Sequence, residues 1–155
     1  MLNQRAILSV LLAFVATVLV SCGGAKENTP PPTYSSEQIS QIERSATPIR
    51  QARKRFTELE TFVKEERWSD ADSLLHGPMG GLRREMSYVT RNLLPQDQEQ
   101  AREFSKKLFQ DLERVDSAID NEAYSRALQN YDRALKEFDN YLSLLPEPKS
   151  TSETT

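Results

Sequence analysis

Reactive side chains are scarce in this 155-residue chain, which has one cysteine, one histidine and one tryptophan. A single cysteine permits no intrachain disulfide and no thiolate metal cluster. A single histidine removes most acid–base and metal schemes. The sequence offers neither a nucleophile–base pair nor a metal cage, so it argues against an enzyme and implies no cofactor and no small-molecule substrate. Charge of one sign is lacking too: 20 Lys and Arg face 23 Asp and Glu, a net −3. Bulk electrostatics therefore implies no nucleic-acid partner. The apolar run Ala6 to Val20 is shorter than the roughly 18 residues of a membrane-spanning helix. Glycine is scarce, at 5 residues, and no strand pattern competes with helical periodicity. What remains is 28% charged and 37% hydrophobic, the composition of one small helical domain with a heavily solvated surface.

The amino terminus carries an address. Met1-Leu2-Asn3-Gln4-Arg5 supplies the terminal amine and one basic side chain ahead of the apolar run. A basic start, a short apolar core and small residues at its end predict a cleaved signal peptide over residues 1–21. The run closes as Leu19-Val20-Ser21-Cys22-Gly23, which resembles the bacterial lipobox. In that motif the cysteine thiol is the nucleophile that receives a diacylglyceryl group. Cleavage follows before the cysteine, and the new amine is commonly acylated. The resemblance makes Cys22 the lipidation site; an ordinary cleaved signal with a chance cysteine and a retained anchor are the alternatives. Two or more acyl chains give stable membrane anchoring, at about 0.8 kcal/mol per buried methylene. Residues 22–35, with Gly23-Gly24 and Pro30-Pro31-Pro32, read as a partly stiffened tether.

Beyond the tether, apolar residues recur at three and four. The first stripe is Ile39, Ile42, Ala46, Ile49, Ala52, Phe56, Leu59 and Val63, with Ser35 and Gln38 as a capping box. Pro48 lies inside it. The stripe keeps phase across the proline, so one kinked helix is expected, with Thr47 as a second N-cap the alternative. The second stripe is Ala71, Leu75, Pro78, Leu82, Met86, Val89 and Leu93, capped by Ser69 and interrupted near Gly77. The third is Ala101, Phe104, Leu108, Leu112, Val115 and Ile119. The fourth is Tyr124, Ala127, Tyr131, Leu135, Phe138, Leu142 and Leu145, capped by Asp120 or Asn121. These predict helices at about 36–66, 69–94, 96–119 and 121–145. Short connections make neighbours antiparallel, so the expected fold is all-α, an up-down-up-down four-helix bundle over 36–146. Residues 147–155 are expected to be a disordered tail.

Several segments of the second half resemble the PsbQ family. They are Trp68-Ser69-Asp70-Ala71, Leu75-His76-Gly77-Pro78-Met79-Gly80, Leu82-Arg83-Arg84-Glu85-Met86, Leu93-Leu94-Pro95 and Lys107-Leu108-Phe109. The last helix adds Tyr131-Asp132-Arg133-Ala134-Leu135 and Phe138-Asp139-Asn140-Tyr141-Leu142. The resemblance runs from Phe56 to Pro146, and its most specific part is Gly-Pro-x-Gly-x-Leu-Arg-Arg. It implies a four-helix bundle and an extrinsic subunit on the lumenal side of photosystem II. The implied role is to stabilise the complex and support the oxygen-evolving centre without ligating its metals. Implied partners are the photosystem II core, other extrinsic subunits and the thylakoid membrane through the lipid. Cyanobacterial members are lipoproteins, as the lipobox suggests here. Plant members carry a longer functional amino-terminal arm. This chain has a short proline-rich tether, so no arm-mediated binding is carried over.

Two basic clusters are candidates for docking onto acidic lumenal loops: Arg50, Arg53, Lys54 and Arg55 on the first helix, and Arg83, Arg84 and Arg91 on the second. The bland alternative is a solvated helix face. Asp72 and His76, four apart with Asp70 nearby, are weak candidates for a loosely held divalent metal, since structural zinc wants four ligands. Trp68 reads as a plug at the bundle end. Gly77-Pro78 and Gly80-Gly81 serve equally well as a partner-shaped surface or as a close helix approach. Asp116 and Asp139 lie beside apolar stripes, with helix-surface ion pairing the default. The competing function is an adaptor binding a peptide or helical partner. Tyr124-x-x-Ala127-Leu128-x-x-Tyr131-x-x-Ala134-Leu135 resembles the second helix of a tetratricopeptide repeat, yet no copy about 34 residues upstream accompanies it.

Overall fold

The computed structural model describes residues 32–147. The expectations for the signal peptide, Cys22, the tether before Pro32 and the tail from residue 148 lie outside the described residues. Within them the protein is all-helical, with five helices and no strand: α1 Ser36–Lys64, α2 Trp68–His76, α3 Leu82–Asn92, α4 Pro95–Asp120 and α5 Tyr124–Ser143.

Helix α1 follows its pattern residue by residue: all eight apolar positions of the first stripe are buried. The capping box closes in both directions. The Gln38 N–H donates to Ser35 Oγ at 3.1 Å, and the Ser35 N–H donates to Gln38 Oε1 at 2.9 Å. One continuous helix passes through Pro48, which sits on the exposed face. The hydrogen bond it cannot donate costs least there, because water reaches the carbonyl left over. Thr47 does not start a new helix; its hydroxyl donates back to the Glu43 carbonyl at 3.2 Å.

The second expected helix is two helices. A Cβ on Gly77 would lie 2.7 Å from the Ser73 carbonyl oxygen, and one on Gly80 would lie 2.7 Å from that of His76. The chain therefore folds back over the last turn of α2 more closely than any side-chain-bearing residue allows. This break shifts the helical phase. Leu74 and Met79 are buried in place of the expected Pro78, which is exposed, while Leu75 is half-buried. The cap expectation also fails: α2 starts at Trp68, behind Arg67, and Ser69 makes no capping bond. Arg67 instead holds Asp70 in the first turn at 2.7 Å. Trp68 packs partly buried against the core, as a plug would.

Helix α4 opens with Pro95 at its first turn, where a missing N–H is harmless. Helix α5 begins at Tyr124 behind Ala123 with no side-chain cap, so neither Asp120 nor Asn121 caps it. The α1–α2 and α4–α5 turns share one device. Glu66 and Glu122 adopt left-handed φ of 55° and 51°. The next N–H reaches back across the helix end in each case, Arg67 to the Phe62 carbonyl and Ala123 to the Ala118 carbonyl, both at 2.8 Å. These backbone bonds replace side-chain caps.

Packing joins α4 to α5, α1 to α3 and α5, α2 to α1 and α4, and α3 to α4. Phe56 lies at the centre, edge-on to Phe138 at 5.1 Å and tilted against Tyr131 at 5.8 Å between ring centroids. Tyr141 is fully buried, and its hydroxyl donates to the Met86 carbonyl at 2.9 Å and meets Thr90 Oγ1 at 3.1 Å. Burial pushes its pKa up to about 12. Before α1, the Tyr34 hydroxyl donates to Asp97 Oδ2 at 2.8 Å and accepts the Leu94 N–H at 3.0 Å. The entry to α1 is thereby tied to the α3–α4 turn.

Candidate partner-docking surface

Helix α1 spreads its four basic residues over a wide arc, because at 3.6 residues per turn Arg55 sits roughly 140° round from Arg50. Most of them are engaged within the chain. Arg53 grips Asp139 on α5 with two bonds, Nε to Oδ1 at 2.6 Å and a terminal nitrogen to Oδ2 at 3.0 Å. That bond raises the Arg53 pKa above its ordinary value. Arg50 meets Glu43 at 2.7 Å and Arg55 meets Glu58 at 3.7 Å. Lys54 is exposed and makes no ion pair among the described residues.

The second cluster lies on α3 and is more available. Arg84 has an 84% exposed side chain and, among the described residues, pairs only with its neighbour Glu85 at 3.0 Å. Arg83 places its guanidinium 4.2 Å from the Phe109 ring centroid and reaches Glu113 at 3.0 Å, both on α4. Arg91 is exposed and makes no ion pair among the described residues. Tyr88, 45% exposed, stands between Arg84 and Arg91 on the same helix. Arginine and tyrosine together make the surface composition that anchors protein interfaces.

The structure brings Asp72 and His76 together and adds a residue that sequence reasoning did not join to them. His76 Nε2 lies 3.3 Å from Asp72 Oδ1 and 3.0 Å from Asp116 Oδ1. One ligand atom from each of the three falls within 4.8 Å of the others. Asp70 is not part of the group. Three donors are one short of a closed zinc site, and the imidazole is largely exposed. The same contacts, without an ion, fasten the end of α2 to α4. Beside them a groove of about 210 Å³ runs between Leu75, Met79 and Phe109. Asp139 forms an ion pair between helices with Arg53, the default its position suggested, and Asp116 makes its interhelix contact with the His76 ring nitrogen.

Sequence reasoning missed a polar cluster between α4 and α5. Buried Asp111 binds Arg114 at 2.7 Å and Arg133 at 3.2 Å, and Arg133 also meets Asn130. An acidic residue one position before Leu112 of the third stripe was the available signal.

With this geometry in view, comparison with known proteins identifies the class. The family model for PsbQ, oxygen evolving enhancer protein 3, matches residues 2–146. The chain belongs to the PsbQ family. A relative from Synechocystis sp., CyanoQ, is 39% identical over 148 residues, spanning 95% of this chain and 99% of that protein. The family match thus extends beyond the span from Phe56 to Pro146 that carried the resemblance. No helix among the described residues is long and apolar enough to cross a membrane.

Proposed function

We propose that this protein is a non-catalytic extrinsic subunit on the lumenal side of photosystem II, held to the thylakoid membrane through lipid on Cys22. It stabilises the complex and supports the oxygen-evolving centre. The observation that carries this reading is membership of the PsbQ family across nearly the whole chain. The helical domain acts as an up-down-up-down four-helix bundle in which α2 and α3 form one broken limb. Docking runs mainly through Arg83, Arg84 and Arg91, with Lys54, Arg55 and Arg50 secondary. Arg53 is engaged with Asp139 and serves packing first. Complementary charge on the partner sets orientation and on-rate more than affinity.

The test is affinity purification of a carboxy-terminally tagged copy from its native membranes, with mass spectrometry of co-eluting proteins and of the Cys22 peptide. Photosystem II subunits together with a lipidated Cys22 support the reading. A lipidated protein that brings down none of them overturns it and favours the adaptor alternative. In the same assay, Arg83→Glu with Arg84→Glu is expected to lower photosystem II retention while leaving helicity intact, because both side chains are largely exposed.

A further inference from the structure

A groove of about 450 Å³ runs between α3 and α4. One wall carries Arg83 and Arg91, the other Arg102 and Lys106, and the buried Phe109 ring, covered by the Arg83 guanidinium, lies at one end. Ser87 and Ser105 add hydroxyls, and no acidic residue is among the described residues that line it. Arg91, Arg102 and Lys106 make no ion pair among the described residues; Arg102 bonds only to the neutral amide of Gln98, at 2.8 Å. In a chain of net charge −3 this is a local concentration of uncompensated positive charge. Arg102 and Lys106 join it only through the fold, since they lie on a different helix from Arg83 and Arg91.

We infer that this groove receives an extended, carboxylate-rich segment of a partner protein. Shape and spacing both favour a chain. Arg83 and Arg91 are eight residues apart, about 12 Å along the helix. Arg102 and Lys106 are one turn, about 6 Å, apart. An extended peptide advances about 3.3 Å per residue and sends alternate side chains to the same side, so carboxylates at every second position recur about every 6.6 Å. About four residues span the groove, and two or three acidic side chains meet its cations. Arginine forks bind carboxylates through two parallel bonds. A planar layer of lipid headgroups does not enter a trough between two helices. This inference deepens the docking reading by naming the chemistry of the docked partner, and it rests on that reading for its biological setting.

The test uses the full chain in mild detergent and a fluorescein-labelled hexaglutamate peptide, followed by fluorescence anisotropy at low and at raised salt. Saturable binding that weakens with salt is expected, and Arg102→Glu with Lys106→Glu is expected to weaken it at least tenfold. Arg126→Glu with Lys136→Glu, two exposed residues of α5 outside the groove, should leave it unchanged. If the charge-reversed groove loses helicity, Arg102→Gln with Lys106→Gln gives the same comparison without reversal. Peptide binding that the groove variants leave intact overturns the inference, as does no binding to the wild type. Groove-dependent binding to phosphatidylglycerol vesicles with no groove-dependent peptide binding also overturns it, in favour of a lipid ligand. Retention on photosystem II is a separate readout: its insensitivity to Arg83→Glu with Arg84→Glu would refute the docking reading while the peptide result stood.

Discussion

Replacing Tyr141 by phenylalanine tests the most buried polar group in the core. The ring is fully buried, and its hydroxyl makes two bonds, to the Met86 carbonyl and the Thr90 hydroxyl. Phenylalanine keeps the ring and removes both bonds. A typical net contribution is about 1 kcal/mol per hydrogen bond. The Met86 carbonyl keeps its helical partner and the Thr90 hydroxyl can turn back to its own helix, so the loss at neutral pH is about 1–2 kcal/mol. For a domain of this size that is a fall of roughly 4–8 °C in Tm. The alkaline range gives the sharper check. In the folded protein Tyr141 has its pKa raised from the ordinary 10.0 to about 12 by burial. The folded state therefore holds more protons than the unfolded state between those values, and stability falls as pH rises. The contribution is intact below pH 10 and disappears as pH climbs through 12. At pH 11 the wild type has lost about 1.4 kcal/mol through this group, one pKa unit's worth. The phenylalanine variant has no such group. Its deficit should therefore shrink toward zero at pH 11, while Tyr34 and Tyr131, also raised to about 12, contribute equally to both proteins. Thermal and urea melts followed by circular dichroism at pH 7 and pH 11 measure this. A variant as stable as wild type at pH 7, or a deficit unchanged at pH 11, refutes the reasoning.

Three further outcomes follow from the same geometry. Glu122→Gly should stabilise the protein by about 0.5–1 kcal/mol in urea melts: the left-handed cost of a side-chain-bearing residue, about 1–2 kcal/mol, is only partly offset by glycine's extra chain entropy. Gly80→Ala should destabilise by about 1–3 kcal/mol through its clash with the His76 carbonyl, whereas Gly81→Ala, whose nearest neighbour is the flexible end of Arg84 at 3.9 Å, should be close to neutral. Thermal melts of the two variants side by side decide it; equal effects would mean that the tight turn is not the cause. On the proposed lipid anchor, Cys22→Ala should abolish metabolic labelling of the protein with an alkyne fatty acid; labelling that survives the substitution would refute Cys22 as the acceptor.

The start and the buried face of helix α1 were legible to the residue, because a capping box, an unbroken stripe and a solvent-facing proline all give local signals. The misreadings cluster where the deciding contact is between backbone atoms. Ser69 and Asp120 are good capping residues by type, yet both turns close with backbone bonds behind a left-handed glutamate. Glutamate has no marked preference for that conformation, so its sequence carries no warning. The break at Gly77–Gly81 was anticipated, but not its phase. Periodicity counted through a break assumes the helix resumes in register, and a turn that folds back on itself puts Met79 inward instead of Pro78. Tyr141 was absent from the fourth stripe for a related reason. A stripe through Phe138 and Leu142 follows one ridge, whereas α5 packs on both α4 and α1 and buries a broader face that takes in Ala134 and Tyr141.

The charged surface was legible as composition and not as arrangement. Seven basic residues were picked out as two equivalent clusters. The fold separates them, because Asp139 lies 86 positions from Arg53 yet neutralises it, while among the described residues nothing of the kind reaches Arg91. The groove that makes the second cluster directional needs α4 to bring Arg102 and Lys106 opposite Arg83 and Arg91. Neither residue falls within a run that periodicity or motif would single out. His76 shows the same limit: its i−4 partner Asp72 was visible from spacing, and its closer partner Asp116, 40 positions away, was not. On a helical surface, spacing predicts which charges share a helix face. Which of them remain available to a partner depends on the neighbouring helix, and here that neighbour turns two similar arginine clusters into a clamp on α5 and an open groove on α4.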